Sequence, residues 1–151
     1  MAESLDRSVL RILAPGGQVV GAGFLVAPHL AVTCAHVARL AQAAAGESIR
    51  VRCYASGQEL TAKVLPDGVS AVEDVAFLEL ESESAGLAPV ALGTAVGRAG
   101  HDFLALGFAP VSNRPTRGAV GQLAIPVDVP ERAHTCLQMA GAMSDLGVSG
   151  R

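Results

Sequence analysis

The sequence predicts an all-β fold on three observations. Apolar residues alternate with polar ones over many short stretches, turn-forming residues separate those stretches, and a single stretch carries helical spacing. The clearest alternation is Ile49-Arg50-Val51-Arg52-Cys53-Tyr54-Ala55, where apolar side chains and arginines take opposite faces of an extended chain.

In chain order, residues 18–26 and 30–33 read as short strands, and residues 49–55 and 59–65 follow as a clearly alternating pair. Residues 74–80, 103–108, 119–125 and 135–140 complete the set. Pro15-Gly16-Gly17, Ser56-Gly57, Pro66-Asp67-Gly68 and Asn113-Arg114-Pro115 punctuate them. Such residues fix φ or reach positive φ at little steric cost, which is what a turn needs. Between the second and third strands, Val37, Leu40, Ala41 and Ala44 recur at helical spacing while Arg39 and Gln42 fall elsewhere. That pattern predicts a short helix beginning at His36. The polar run Glu81-Ser82-Glu83-Ser84-Ala85-Gly86 is the natural connection between two halves, residues 1–84 and 85–151.

Composition narrows the function classes. The chain has 151 residues, half of them hydrophobic, which is enough for a packed core, but with four Phe, one Tyr and no Trp that core must be built of Val, Leu and Ala. A net charge of -3 argues against a sequence-independent grip on nucleic acid, which requires clustered Lys and Arg. No stretch approaches the ~20 apolar residues of a membrane helix. The N-terminus is polar and mixed in charge, unlike a secretory signal, so a cytoplasmic location is expected. Three cysteines, Cys34, Cys53 and Cys136, lack CxxC spacing and read as reduced, buried thiols.

Three segments carry candidate chemistry. His36 lies in Thr33-Cys34-Ala35-His36-Val37, Asp74 opens Asp74-Val75-Ala76-Phe77-Leu78, and Ser149 lies in Gly147-Val148-Ser149-Gly150. Taken singly, each has an ordinary reading as a packed histidine, a strand-end carboxylate and a loop serine. Taken together, each stands where its role needs it. His36 follows an apolar strand and opens a helix, so its backbone is held on both sides. Asp74 starts an apolar strand, where partial burial makes it an effective partner for an imidazole N–H. Ser149 is flanked by glycines that permit a tight turn and point backbone N–H groups toward one spot.

With Gly21-Ala22-Gly23-Phe24-Leu25-Val26 and Leu106-Gly107-Phe108 added, the chain resembles a trypsin-like serine peptidase of the chymotrypsin fold, of the compact bacterial type. The resemblance covers nearly the whole chain. It implies two six-stranded β-barrels with a catalytic triad between them, His36 as base, Asp74 as its orienter and Ser149 as nucleophile. It also implies an oxyanion hole from the N–H groups of Gly147 and Ser149, a protein or peptide substrate, and no cofactor or metal. Met143, six positions before Ser149, stands where enzymes that cut after Lys or Arg carry an aspartate, which points to an apolar or small side chain before the cut.

Departures from the family pattern are informative. Secreted animal members carry a disulfide-bonded cysteine directly after the histidine, and this chain has Val37. They place an aspartate before the serine, where it pairs with a newly cut N-terminus, and this chain has Val148, so activation by such cleavage is not expected. Arg151 follows Ser149-Gly150 and ends the chain, whereas the family continues with strands that complete the second barrel. The sequence is therefore expected to be part of a longer protein, with the second barrel incomplete and full activity not expected of these residues alone. Bacterial domains of this type are often joined to NTP-binding or repeat modules, so further domains of the same polypeptide are expected partners.

Two other readings remain. One is a catalytically inactive trypsin-like barrel serving as a protein-binding or regulatory module. The other is a metal site drawn from Cys34-x-His36, Cys53 and His134-x-Cys136, against which the spacings are unusual for structural zinc and the alternating pattern gives each cysteine a place in the core.

Overall fold

The computed structural model describes residues 5–83, 86–94, 101–108, 115–128 and 135–140, with the strands beyond residue 101 described by their backbone pairing. The chain divides into two compact units, Met1–Leu92 and Gly93–Arg151. In the first, six strands close into a barrel in the order β1-β2-β3-β6-β5-β4. They are β1 (Val9–Leu13), β2 (Val19–Ala27), β3 (Leu30–Thr33), β4 (Ser48–Cys53), β5 (Glu59–Ser70) and β6 (Val75–Leu80). A short helix, α1 (Ala35–Leu40), links β3 to β4. Every barrel pairing is antiparallel, and closure leaves none of these six strands with an unpaired edge.

The alternation places the core. Ile49, Val51 and Cys53 of β4 point inward while Arg50 is exposed. Leu60, Ala62 and Val64 of β5 repeat the pattern, as do Ala76, Leu78 and Leu80 of β6. Leu10, Ile12 and Leu25 complete an aliphatic centre without aromatic rings. Small residues such as Ala31 and Ala62, both fully buried, let the strands of so narrow a barrel approach the branched chains opposite them.

Two features depart from the sequence reading. β1 was not anticipated, because four of its five residues are buried and Val9-Leu10-Arg11-Ile12-Leu13 shows little alternation. It is nevertheless central, pairing with both β2 and β4. The Pro66-Asp67-Gly68 signal, expected to end a strand, instead lies inside β5, where the register with β6 shifts between Val64 and Val69. Pro lacks the N–H that a regular ladder needs, and an irregular bulged stretch is where a strand accommodates it.

Beyond β6 the chain returns to the barrel. Arg7 Nε donates to the Gly86 carbonyl at 2.8 Å, Ser8 Oγ donates to the Ala88 carbonyl at 2.7 Å, and the Val90 N–H donates to the Leu25 carbonyl at 2.8 Å. Leu87 packs against the core. These ties explain why the first compact unit runs on to Leu92, past the polar run. The second unit contains a three-stranded antiparallel sheet in the order β7 (Asp102–Phe108), β8 (Pro115–Asp128), β9 (Thr135–Ala140). Among the described residues, no helix is long and apolar enough to cross a membrane.

One close approach connects the barrel to the helix. A Cβ built on Gly21 of β2 would lie 2.6 and 2.7 Å from the two γ-carbons of Val37, a stiff β-branched residue of α1 next to His36. Gly21→Ala is therefore expected to cost about 1–3 kcal/mol by overpacking and to displace α1. Thermal melts should show the loss, and the double variant Gly21→Ala/Val37→Ala should recover much of it. Equal stability of Gly21→Ala and the parent would show that the helix yields freely.

Candidate active site

The β3–β6 pairing is what assembles the site. Thr33 faces Ala76 across this pair, so the residues just after β3 meet those just before β6, and these are His36 and Asp74. Thr33 anchors the end of β3, its Oγ1 donating to the Ala22 carbonyl of β2 at 2.8 Å. Cys34 then takes an extended conformation and caps the helix, its carbonyl accepting from the Val37 and Ala38 N–H groups at 3.1 Å. The helix begins at Ala35, one residue before the expected start, and buries Ala35, Val37 and Ala38. His36 is left partly exposed on the outer side of the first turn.

Asp74 occupies the turn that precedes β6 and has φ of 54°, in the left-handed region that aspartate and asparagine enter more readily than most residues. It was expected inside the strand, which instead begins at Val75. This backbone turn brings both carboxylate oxygens onto one residue. The His36 backbone N–H donates to Asp74 Oδ1 at 2.8 Å, and His36 Nδ1 lies 2.6 Å from Oδ2. With Nδ1 carrying the proton, the imidazole is fixed in position and tautomer, and Nε2 is left as the acceptor. The pair is only partly shielded, with side chains 41% and 29% exposed, so a substrate group can reach the ring.

Opposing effects act on the Asp74 carboxyl. Desolvation pushes it up, but the hydrogen bonds from the His36 backbone and ring, helped by the charges of His36 and Arg39, outweigh this and hold it below its ordinary value. Asp74 therefore stays ionised across neutral pH. The Cys34 thiol is pushed up, by desolvation and then by the negative charge of Asp74.

Cys34 is the residue whose position the sequence reading misjudged. It was expected to be buried, yet among the described cysteines Cys53 is buried in the barrel and Cys34 is exposed. The signal was present in the alternation, since Ala31 and Thr33 point inward and Cys34 falls on the opposite phase. Donor atoms of Cys34, His36 and Asp74 all lie within 4.8 Å of one another. The metal grouping considered from sequence is not what the barrel brings together, because Cys53 is a core residue. Of the other histidines, His29 Nε2 lies 3.1 Å from the exposed Glu83 Oε1 and His101 is exposed. His134, Met143, Gly147 and Ser149 lie outside the described residues, as does the side chain of Cys136.

Comparison with known proteins agrees with this geometry. The chain matches the trypsin-like peptidase domain family over residues 21–144, a span that includes His36, Asp74 and Met143 and stops before Gly147 and Ser149. No curated protein matches it by sequence. Among solved structures it is similar to Deg5, with a TM-score of 0.68 and 22% identity over 94% of this chain and 71% of that one. It is similar to the HtrA-type protease AlgW with a decapeptide, with a TM-score of 0.64 and 18% identity over 94% of this chain and 51% of that one. It is also similar to an inactive form of the Rv3671c protease of M. tuberculosis H37Rv, with a TM-score of 0.58 and 20% identity over 82% of this chain and 55% of that one. The chain thus spans between 51% and 71% of the length of these three. At such identities the likeness speaks for the fold, which is chymotrypsin-like with a closed first barrel and, among the described residues, an incomplete second one. Because the family match extends over residues 21–144, most of its length, the chain belongs to the trypsin-like peptidase domain family.

Proposed function

We propose that the protein containing this chain is a serine endopeptidase in which Ser149 is the nucleophile, His36 the general base and Asp74 the residue that orients the base. The observation that carries this reading is the double acceptance by Asp74 of the His36 backbone N–H and ring N–H. That arrangement holds Nε2 ready to take a proton, which is the part of the chemistry this unit can prepare.

In the proposed reaction, Ser149 Oγ attacks the scissile carbonyl carbon while His36 Nε2 removes the hydroxyl proton. The tetrahedral oxyanion is held by the N–H groups of Gly147 and Ser149, a contribution worth about 2.7–4 kcal/mol per donor in comparable sites. Collapse breaks the C–N bond, His36 passes its proton to the leaving amine, and an acyl-enzyme remains. Water, deprotonated by the same imidazole, then releases the acid and restores the serine. Met143 would line the pocket for the residue before the cut and favour an apolar or small side chain. The substrate is protein or peptide, neither nucleic acid nor membrane is a partner, and further domains of the polypeptide are the candidates for control. An exposed, unpaired thiol such as Cys34 suits a reducing compartment, and we place the protein in the cytoplasm on that ground.

A fluorophosphonate probe tests the reading. In the protein's active state Ser149 should be labelled, and His36→Ala should abolish the labelling. Absence of labelling at Ser149, or labelling that persists in His36→Ala, would leave a trypsin-like barrel acting as a binding or regulatory module.

A further inference from the structure

We propose that Cys34, His36 and Asp74 form a reversible binding site for Zn²⁺. The three residues come from two separate places, the β3–α1 junction and the turn before β6, and their donor atoms converge within 4.8 Å. The donor set decides the ion. Thiolate sulfur and imidazole nitrogen with one carboxylate oxygen favour zinc over calcium or magnesium, which require oxygen cages. Three protein ligands leave a fourth tetrahedral position for water.

The geometry is close to what the ion requires. Bond lengths of about 2.3 Å to sulfur and about 2.0–2.2 Å to nitrogen and oxygen set neighbouring donors about 3.3–3.6 Å apart. The His36–Asp74 pair at 2.6 Å must therefore open by less than the width of an atom, and the Cys34 side chain must swing inward. The Cys34 side chain is only partly covered and makes no cap hydrogen bond, which leaves it able to rotate. The second oxygen of Asp74 keeps the His36 backbone N–H, which orients the carboxylate as an outer hydrogen bond does for a ligand.

Charge and protons balance. Two anionic ligands and one neutral imidazole neutralise Zn²⁺. The Cys34 thiol proton is released to solvent, and the imidazole remains neutral with its proton on the nitrogen that does not hold the ion. The positive charge of Arg39, which reaches Asp74, opposes the cation, so tight binding depends on the thiolate. The barrel core is complete without this site, which makes occupancy a matter of zinc concentration and not of folding.

The consequence for activity rests on the peptidase reading above, because zinc at either nitrogen removes His36 as a base. The binding itself does not rest on it. The test is titration of the purified chain with Co²⁺ and Zn²⁺ in chelator-buffered solution, comparing the parent with Cys34→Ser. Serine is a good residue at a helix N-cap, so the variant should fold, and circular dichroism checks this. The parent should bind one ion at this site with a thiolate-to-cobalt charge-transfer band, and Cys34→Ser should lose that band and bind Zn²⁺ at least about tenfold more weakly. An unchanged band or unchanged affinity in Cys34→Ser would overturn the proposal. Failure of the peptidase reading would show instead as unlabelled Ser149 in metal-free protein with the cobalt band intact.

Discussion

Replacing Asp74 with asparagine is expected to lower kcat by about 10⁴-fold while the barrel stays folded. The amide oxygen can still accept the His36 backbone N–H, the bond that Oδ1 accepts at 2.8 Å. The amide nitrogen, however, would face Nδ1 as a donor where Oδ2 now accepts at 2.6 Å. The imidazole must then offer a lone pair at Nδ1 and carry its proton on Nε2, the wrong side for taking one from a serine. The backbone should be preserved, because asparagine tolerates the φ of 54° at this position as well as aspartate does, so the stability lost at neutral pH should be confined to what the ionised carboxylate contributes. Turnover of a peptide substrate beside a thermal melt separates the two effects, and a loss of less than about tenfold in kcat would remove Asp74 from the mechanism.

The same variant tests a linkage. A carboxyl held below its ordinary value when folded contributes stability that is present above the unfolded value and is lost as pH falls through the folded one. The parent should therefore lose melting temperature on acidification below the ordinary carboxylate range more steeply than Asp74→Asn. Parallel acid profiles would show that the His36 bonds do not stabilise the ionised form.

The largest loss of stability is expected from Leu78→Ala, at about 2–5 kcal/mol. Leu78 is fully buried and sits in mid-strand on β6, opposite Ala31 of β3 and Val64 of β5. Its neighbours are themselves small or stiff, so they cannot collapse into the space it would vacate. Denaturant unfolding measures the cost, and a loss under about 1 kcal/mol would mean that the barrel repacks. Activity measured at a temperature where the variant is still folded should fall less than stability does, since Leu78 touches neither member of the His36–Asp74 pair through a hydrogen bond.

The legible parts of this molecule were those where side-chain period and environment coincide. β4 was readable because each inward Ile49, Val51 and Cys53 is separated by an arginine in or near water. β1 was not, since it is buried at Val9, Leu10, Ile12 and Leu13 and a nearly continuous apolar run could as well be a buried helix segment. The His36–Asp74 contact could be inferred from residue type and chain order, but its cause, the Thr33–Ala76 register, is a long-range pairing that no local pattern displays. Cys34 was misplaced because cysteine is so often buried that residue type outweighed its phase in the strand. The serine segment, residues 147–150, lies outside the described residues, and its role continues to rest on the sequence and on the family resemblance.

The β3–β6 pairing also has a meaning in time. β3 ends at Thr33 and β6 begins at Val75, so His36 and the Asp74 carboxylate that holds it come from segments synthesised some forty residues apart. During synthesis the imidazole has no partner until the chain has grown past Leu80 and that seam has annealed. A nascent or partly opened barrel therefore carries a histidine with no fixed tautomer. On the proposed reading, the proton transfer that His36 would perform is unavailable whenever this seam is open.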